Sequence, residues 1–183
     1  MTVRIKFILP DFYLWEEYAD LLNEYTDGGP WTLFREYATA EEFEQVIHRS
    51  NRAALGIGVG EHAPCVTWWV RDIDTGRLVG AANIRYYLTK QGFETWGHIG
   101  FGVRPSERRK GCATAILRAA LEECRKMKME KVLIGCKDDN IGSWKTIEKC
   151  GGVLENRVHV TDHDGTPQFI RRYWIAIEDD AAD

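Results

Sequence analysis

Hydrophobic and polar positions alternate over Val3-Arg4-Ile5-Lys6-Phe7, the period of a half-buried strand, before Pro10-Asp11 supplies a stop and a helix cap. Leu14, Trp15, Tyr18, Leu21, Leu22 and Tyr25 then recur at helical spacing, up to the breaker Asp27-Gly28-Gly29-Pro30. A second helix is announced by the capping box Thr39-x-x-Glu42 and buries Phe43, Val46 and Ile47. Cys65 to Arg71 and Leu78 to Tyr87 read as strands joined through the hairpin signal Asp74-Thr75-Gly76. Thr95 to Val103 is a third run of this kind. Its odd positions Ile99, Phe101 and Val103 are bulky, while His98, Gly100 and Gly102 leave the other face open to close approach by a packed helix or a bound group. Pro105 ends it, and Ile116, Leu117, Ala120, Leu121 and Cys124 mark a long amphipathic helix. A strand at 131–136, a helix from Asn140 ending at Gly151, and a hairpin of 153–161 with 169–177 complete the pattern.

The order β-α-α-β-β-β-α-β-α-β-β predicts an α/β protein with a mixed, mostly antiparallel twisted sheet of about seven strands and helices on both faces. A parallel pair is expected where strand 95–104 passes through helix 109–128 to strand 131–136. Residues 1–178 are expected to form a single domain. An acidic tail, 179–183, follows it.

Between strand and long helix lies the basic turn Arg104-Pro105-Ser106-Glu107-Arg108-Arg109-Lys110-Gly111-Cys112-Ala113. Amides at 109–113 would be the unpaired donors of a helix N-terminus, and the small Gly111 and Ala113 allow a diphosphate to approach the main chain. A helix start with solvated arginines is the alternative. A Walker-type loop is excluded, because Lys110 precedes the glycine and no Gly-Lys-Ser/Thr follows.

Arg108-x-x-Gly111-x-Ala113 after a strand resembles the acyl-CoA signature of the GNAT N-acyltransferases, Gln/Arg-x-x-Gly-x-Gly/Ala. The strand Lys131-Val132-Leu133-Ile134-Gly135-Cys136 and the run Asn140-Ile141-Gly142-Ser143 through Cys150-Gly151-Gly152 continue the likeness, which covers about residues 78–178 in detail. Within the superfamily, His98 to Glu155 is most similar to a bacterial branch of predicted acetyltransferases, which supplies a reaction but no substrate. The resemblance implies the GNAT fold, two neighbouring strands splayed into a V, and acetyl-CoA as acyl donor. It implies CoA contacts from Phe101, Gly102, Val103, Arg108, Arg109, Lys110, Gly111, Cys112, Ala113, Thr114, Asn140 and Ser143. The reaction it implies is acetyl transfer to a primary amine by direct attack in a ternary complex. A non-catalytic acyl-CoA-binding or sensing module is the alternative, and an interaction domain is a third.

An alkylammonium of pKa about 10.4 is neutral in only roughly one molecule in two thousand at pH 7, so a general base, worth about 10² to 10⁴ in rate, is useful. His98 stands just before Ile99-Gly100-Phe101, where many family members carry a Glu base. It is the candidate, with a hydrogen-bonded histidine in the sheet as the alternative. Many members also place a Tyr seven residues after the helix-opening Asn to protonate the leaving thiolate. That position is Ile147 here, leaving solvent or one of Tyr86, Tyr87 and Tyr173 for proton delivery. Trp31 and Phe34 are candidates for an aromatic acceptor loop that, with the acidic balance, suggests a cationic amine. Core packing is their alternative.

The 183 residues suffice to bury roughly 70% of the unfolded surface. A net charge of −4 argues against sequence-independent nucleic-acid binding. The five cysteines, Cys65, Cys112, Cys124, Cys136 and Cys150, include no Cys-x-x-Cys and have the odd count of a reducing compartment. No signal peptide or 18-residue apolar run appears, so a cytoplasmic protein without membrane or nucleic-acid partners is expected, as monomer or homodimer. His159, Asp162, His163 and Asp164 lack recognised ligand spacing, so no metal site is expected, and Cys112 reads as a spacer.

Overall fold

In a computed structural model, the structure describes residues 3–25, 33, 37, 39–161 and 165–178. The chain forms strands β1 (Ile5–Ile8), β2 (Cys65–Asp72), β3 (Leu78–Arg85), β4 (Ile99–Val103), β5 (Lys131–Lys137), β6 (Val153–Thr161) and β7 (Pro167–Ala176). Helices α1 (Trp15–Leu22), α2 (Ala40–Ala54), α3 (Lys90–Glu94), α4 (Cys112–Lys126) and α5 (Ile141–Lys149) are interspersed. Local chemistry explains the helix starts. Asp11 caps the 3-10 turn Phe12–Leu14 that leads into α1, its Oδ1 accepting from Tyr13 N–H at 3.0 Å, and Thr39 Oγ1 caps α2 by accepting from Glu42 N–H at 3.2 Å. The five-residue α3 has no amphipathic run to announce it; Thr89 Oγ1 caps it by accepting from Gly92 N–H at 3.1 Å.

The seven strands form two antiparallel sheets, β1-β2-β3-β4 and β5-β7-β6. One core, containing Val70, Ala82, Ile84, Ile116, Leu117 and Tyr173, joins both sheets to α4 and α5. A second, built on Tyr18, Leu21, Phe43, Ile47 and Trp69, lies under α1 and α2. Helices therefore cover both faces, as the sequence pattern predicts.

The expected parallel pair is corrected. β4 and β5 are the facing edges of the two sheets, and the only bridge between them among the described residues is an antiparallel one at Gly97 and Ile134. Here the chain crosses β5 so closely that a Cβ on Gly97 would lie 2.1 Å from Leu133 O, and one on Gly135 1.7 Å from Thr95 O. Gly97 also needs its φ of +71°. Two glycines thus make the crossing, after which the edges share no ladder.

Candidate acyl-donor and acceptor site

Ladder phase determines what the two edges present. Arg85 N–H donates to His98 O and Arg104 N–H to Val79 O, both at 2.8 Å, so even-numbered residues of β4 exchange bonds with β3. The backbone groups of Ile99, Phe101 and Val103 turn the other way, towards β5. Gly102, opposite Ala81, spends its backbone groups on β3, unlike its neighbours Phe101 and Val103. On β5, Ile177 N–H donates to Glu130 O and Asp138 N–H to Phe169 O, both at 2.9 Å. Odd-numbered Leu133 and Gly135 therefore face β4. His98 N–H to Leu133 O (2.6 Å) and Gly135 N–H to Trp96 O (3.0 Å) close the junction. Beyond it, the Phe101 amide and carbonyl, the Val103 N–H and the Gly135 carbonyl border the opening.

At the far end of β4, Pro105–Glu107 forms a 3-10 turn, and Arg109 (φ 65°) and Gly111 (φ 95°) are left-handed. The first helical bond of α4 is Ala115 N–H to Gly111 O. Among the described residues no backbone acceptor takes the amides of Arg109 to Thr114. This succession of N–H groups around left-handed residues is an anion-binding concavity. Gly111 is required by its φ rather than by crowding, since the nearest atom to a Cβ there would be Val3 Cγ2 at 3.7 Å.

The cations of this stretch divide. Arg109 is exposed, Lys110 pairs with Glu107 at 3.1 Å, and Arg108 lies over the Tyr25 ring at 5.6 Å with Nε 3.5 Å from Val103 O. Arg104, grouped with them in sequence, is buried and bound to Asp20 (2.5 Å) and Glu24 (2.6 Å). Glu24 also accepts from Ser106 N–H at 2.9 Å and from Ser106 Oγ at 3.1 Å. This network ties the end of α1 to the start of the turn. Hydrogen bonds from Arg104 chiefly hold the Asp20 carboxyl below its ordinary range. Glu24 is also lowered: burial pushes it up, but the Ser106 and Arg104 bonds outweigh that. Sequence reasoning missed both acids, which lie about eighty residues from Arg104.

Cys112 is buried with its thiol pKa raised by burial, consistent with a spacer. Ala113 and Thr114 are half-buried in the first turn of α4. Asn140 caps α5, its Oδ1 accepting from Ser143 N–H at 3.1 Å, and Ser143 is half-buried beside it. Ile147 is fully buried. Of the tyrosines considered for proton delivery, Tyr173 is fully buried with its hydroxyl bound to Glu148 at 3.0 Å. Tyr86 donates to Ala54 O at 3.0 Å, and Tyr87 is exposed.

His98 is held by its ring. Leu133 N–H donates to Nδ1 at 2.9 Å, which assigns the neutral proton to Nε2, and the ring centroid is 6.4 Å from that of Trp174. Burial lowers the pKa, with Arg85 acting in the same direction. The Leu133 backbone is a smaller opposing influence, but the bond formed is an N–H donating into Nδ1, which a protonated ring could not accept. As held, the ring has no spare lone pair for a base. Trp31 and Phe34 lie outside the described residues, as do Asp162, His163, Asp164 and the tail. His159 packs edge-on to Phe169 at 5.2 Å, and no metal-binding group of three ligands occurs among the described residues.

On the same sheet face as His98, Asn83 was unforeseen. It is buried, and its Oδ1 accepts from Gly100 N–H at 3.0 Å, occupying the space Gly100 leaves. The one signal in sequence was a lone amide within Leu78-Val79-Gly80-Ala81-Ala82-Asn83-Ile84.

Residues 15–152 match the acetyltransferase (GNAT) family. The chain belongs to that family. It is an acetyltransferase of that family. Solved structures share the fold at low identity. Microcin C7 self-immunity acetyltransferase MccE, in complex with acetyl-CoA and AMP, aligns with TM-score 0.71 at 17% identity, over 94% of this chain and 92% of its own. A GNAT-family acetyltransferase from Bacillus anthracis gives 0.68 at 19%, over 96% and 98%. The Salmonella typhimurium enzyme that modifies the N-terminal serine of ribosomal protein L7/L12 gives 0.70 at 14%, over 97% of each chain. A sequence search of curated proteins finds no match. No helix among the described residues is long and apolar enough to cross a membrane.

Proposed function

We propose that this acetyltransferase moves the acetyl group directly to a primary amine while donor and acceptor are bound together. The observation that carries the reading is the set of open amides at 109–114, placed where β4, with its outward-facing Phe101 and Val103 groups, runs into α4. The amides of Arg109 to Thr114, with the Arg108, Arg109 and Lys110 side chains, would hold the diphosphate. Phe101, Val103 and Gly135 would bond the pantetheine arm, and Asn140 and Ser143 would stand at its other side. Gly102 would add only proximity.

The bound donor supplies an acetyl thioester. The chain's own part is to align the amine, to present a β4 N–H where charge develops on the acetyl oxygen, and to exclude water. His98 acts in this reading as a positioning residue: its ring bond to Leu133 fixes the junction from which the two edges diverge. The amine's proton passes to water, and thiolate, of pKa about 8.5, leaves without an obligatory acid.

The absence of a phenol at Ile147 favours one second reading, an acyl-CoA-binding module without turnover. Incubating the protein with acetyl-CoA and an amine library, followed by mass spectrometry, separates the two. Acetylated amine supports transfer; bound but unconsumed acetyl-CoA supports sensing.

A further inference from the structure

The open edge of β4 ends on an acceptor that its own sheet does not use. Val103 is an odd-numbered position, so by ladder phase its carbonyl turns away from β3. Two side chains meet it instead: the Tyr25 hydroxyl donates at 3.0 Å, and Arg108 Nε approaches to 3.5 Å. The Arg108 guanidinium carbon also lies 5.6 Å from the centroid of the Tyr25 ring, inside the range of a cation-π contact. One tyrosine therefore touches both the last carbonyl of β4 and the first arginine of the Arg108-x-x-Gly111-x-Ala113 turn.

Tyr25 is itself firmly placed. It stands three residues beyond α1, half-buried against the core under α1 and α2, with its N–H donating to Leu22 O at 3.0 Å. Its neighbour Glu24 binds Arg104 Nε at 2.6 Å and Ser106 N–H at 2.9 Å. Residues 24 and 25 thus grip the chain on both sides of Pro105. Arg108, by contrast, is exposed. An exposed arginine samples many rotamers, and ordering it on an anion lowers affinity by the entropy lost. A ring beneath the guanidinium and a carbonyl at Nε restrict that sampling beforehand. Neither of these two contacts uses the Nη fork with which arginine grips phosphate oxygens. The open amides of 109 to 114 begin at the next residue, so Arg108 is held where a donor's arm would leave the strand edge for the anion-binding concavity.

We propose that Tyr25 is a positioning residue for the acyl donor: by holding Arg108 at the Val103 carbonyl it presets the guanidinium for the diphosphate of acetyl-CoA. The inference rests on the reading that the 108–114 turn takes that diphosphate. It brings the end of α1 into the donor site and divides the work of Val103, whose N–H borders the opening while its carbonyl belongs to Tyr25.

Calorimetric titration of the full chain with acetyl-CoA, in a double-mutant cycle of Tyr25→Leu and Arg108→Gln, tests it. Tyr25→Leu should weaken binding by about two- to tenfold, the effect of leaving one long side chain to be ordered on binding. In the Arg108→Gln background the same substitution should change Kd by less than about twofold, because the side chain that Tyr25 orders is gone. Tyr25→Phe, which keeps the ring and loses the hydroxyl, should fall between wild type and Tyr25→Leu, again only while Arg108 is present; it decides the matter if Tyr25→Leu does not fold. A tyrosine that merely supports α1 would lower affinity by the same factor in both backgrounds, and that result overturns the inference, as does wild-type affinity in Tyr25→Leu. If Arg108→Gln binds acetyl-CoA as wild type does, the inference falls and the acetyltransferase reading stands. Acetyl-CoA that the wild-type chain does not bind overturns both.

Discussion

Removing the Glu24 carboxylate should unfasten the anion-binding turn. In Glu24→Ala, Arg104 Nε loses its partner at 2.6 Å, and Ser106 loses acceptors for both its N–H and its hydroxyl. The Arg104 side chain is only 2% exposed, so water cannot replace what is lost. Breaking a buried ion pair from one side costs about 3 to 5 kcal/mol. Arg104 keeps Asp20 at 2.5 Å and the Leu78 carbonyl at 3.2 Å, which places the expected loss near the lower end, about 3 kcal/mol. For a chain of this size that is a fall of roughly 6 to 12 °C in Tm. Asp20→Ala, removing a 64% exposed partner, should cost about 1 kcal/mol or less. Urea unfolding followed by circular dichroism gives both values, and calorimetry should show weaker acetyl-CoA binding in Glu24→Ala. The pH dependence has a fixed sign. Because the folded Glu24 pKa lies below its ordinary 4.5, its contribution is present above pH 4.5 and is lost as pH falls through the folded value. Glu24→Gln should flatten that acid limb. A Glu24→Ala protein within about 0.5 kcal/mol of wild type would refute the reasoning.

Three further outcomes are expected. His98→Gln, whose amide oxygen can accept from Leu133 N–H, should keep kcat within about tenfold of wild type, whereas His98→Ala should lose more; loss of the acidic limb of kcat/KM in both would restore the base role. Because the folded His98 pKa lies below 6.5, its contribution to stability is full above 6.5 and declines as pH falls towards the folded value, and His98→Gln should remove that slope in pH-dependent unfolding. Arg108→Glu and Gly111→Val should each weaken acetyl-CoA binding, by charge and by the forbidden φ of +95° respectively; unchanged calorimetric affinity in both would detach the turn from the donor.

What was legible in the sequence was local. Thr39 with Glu42, Pro105 as a strand stop, and Gly111 before Cys112 act within a few residues, and each stands where its spacing indicates. The crossing at Gly97 and Gly135 was not legible, because a β-α-β order ordinarily means a parallel pair and only the backbone contact reveals the exception. Arg104 read as one more basic residue until Asp20 and Glu24, remote in sequence, were seen to neutralise it. Asn83 looked like the end of an apolar strand; its importance comes from facing Gly100 across the ladder, a matter of register between strands.

The most direct test of the account is a titration of the purified protein with acetyl-CoA by calorimetry, paired with mass spectrometry of the same mixture after adding a library of primary amines. Saturable binding that is weakened by Arg108→Glu, with an acetyl group appearing on an amine as CoA is released, is the predicted result. Acetyl-CoA that remains unbound by the wild-type chain and intact in the presence of every amine would contradict it.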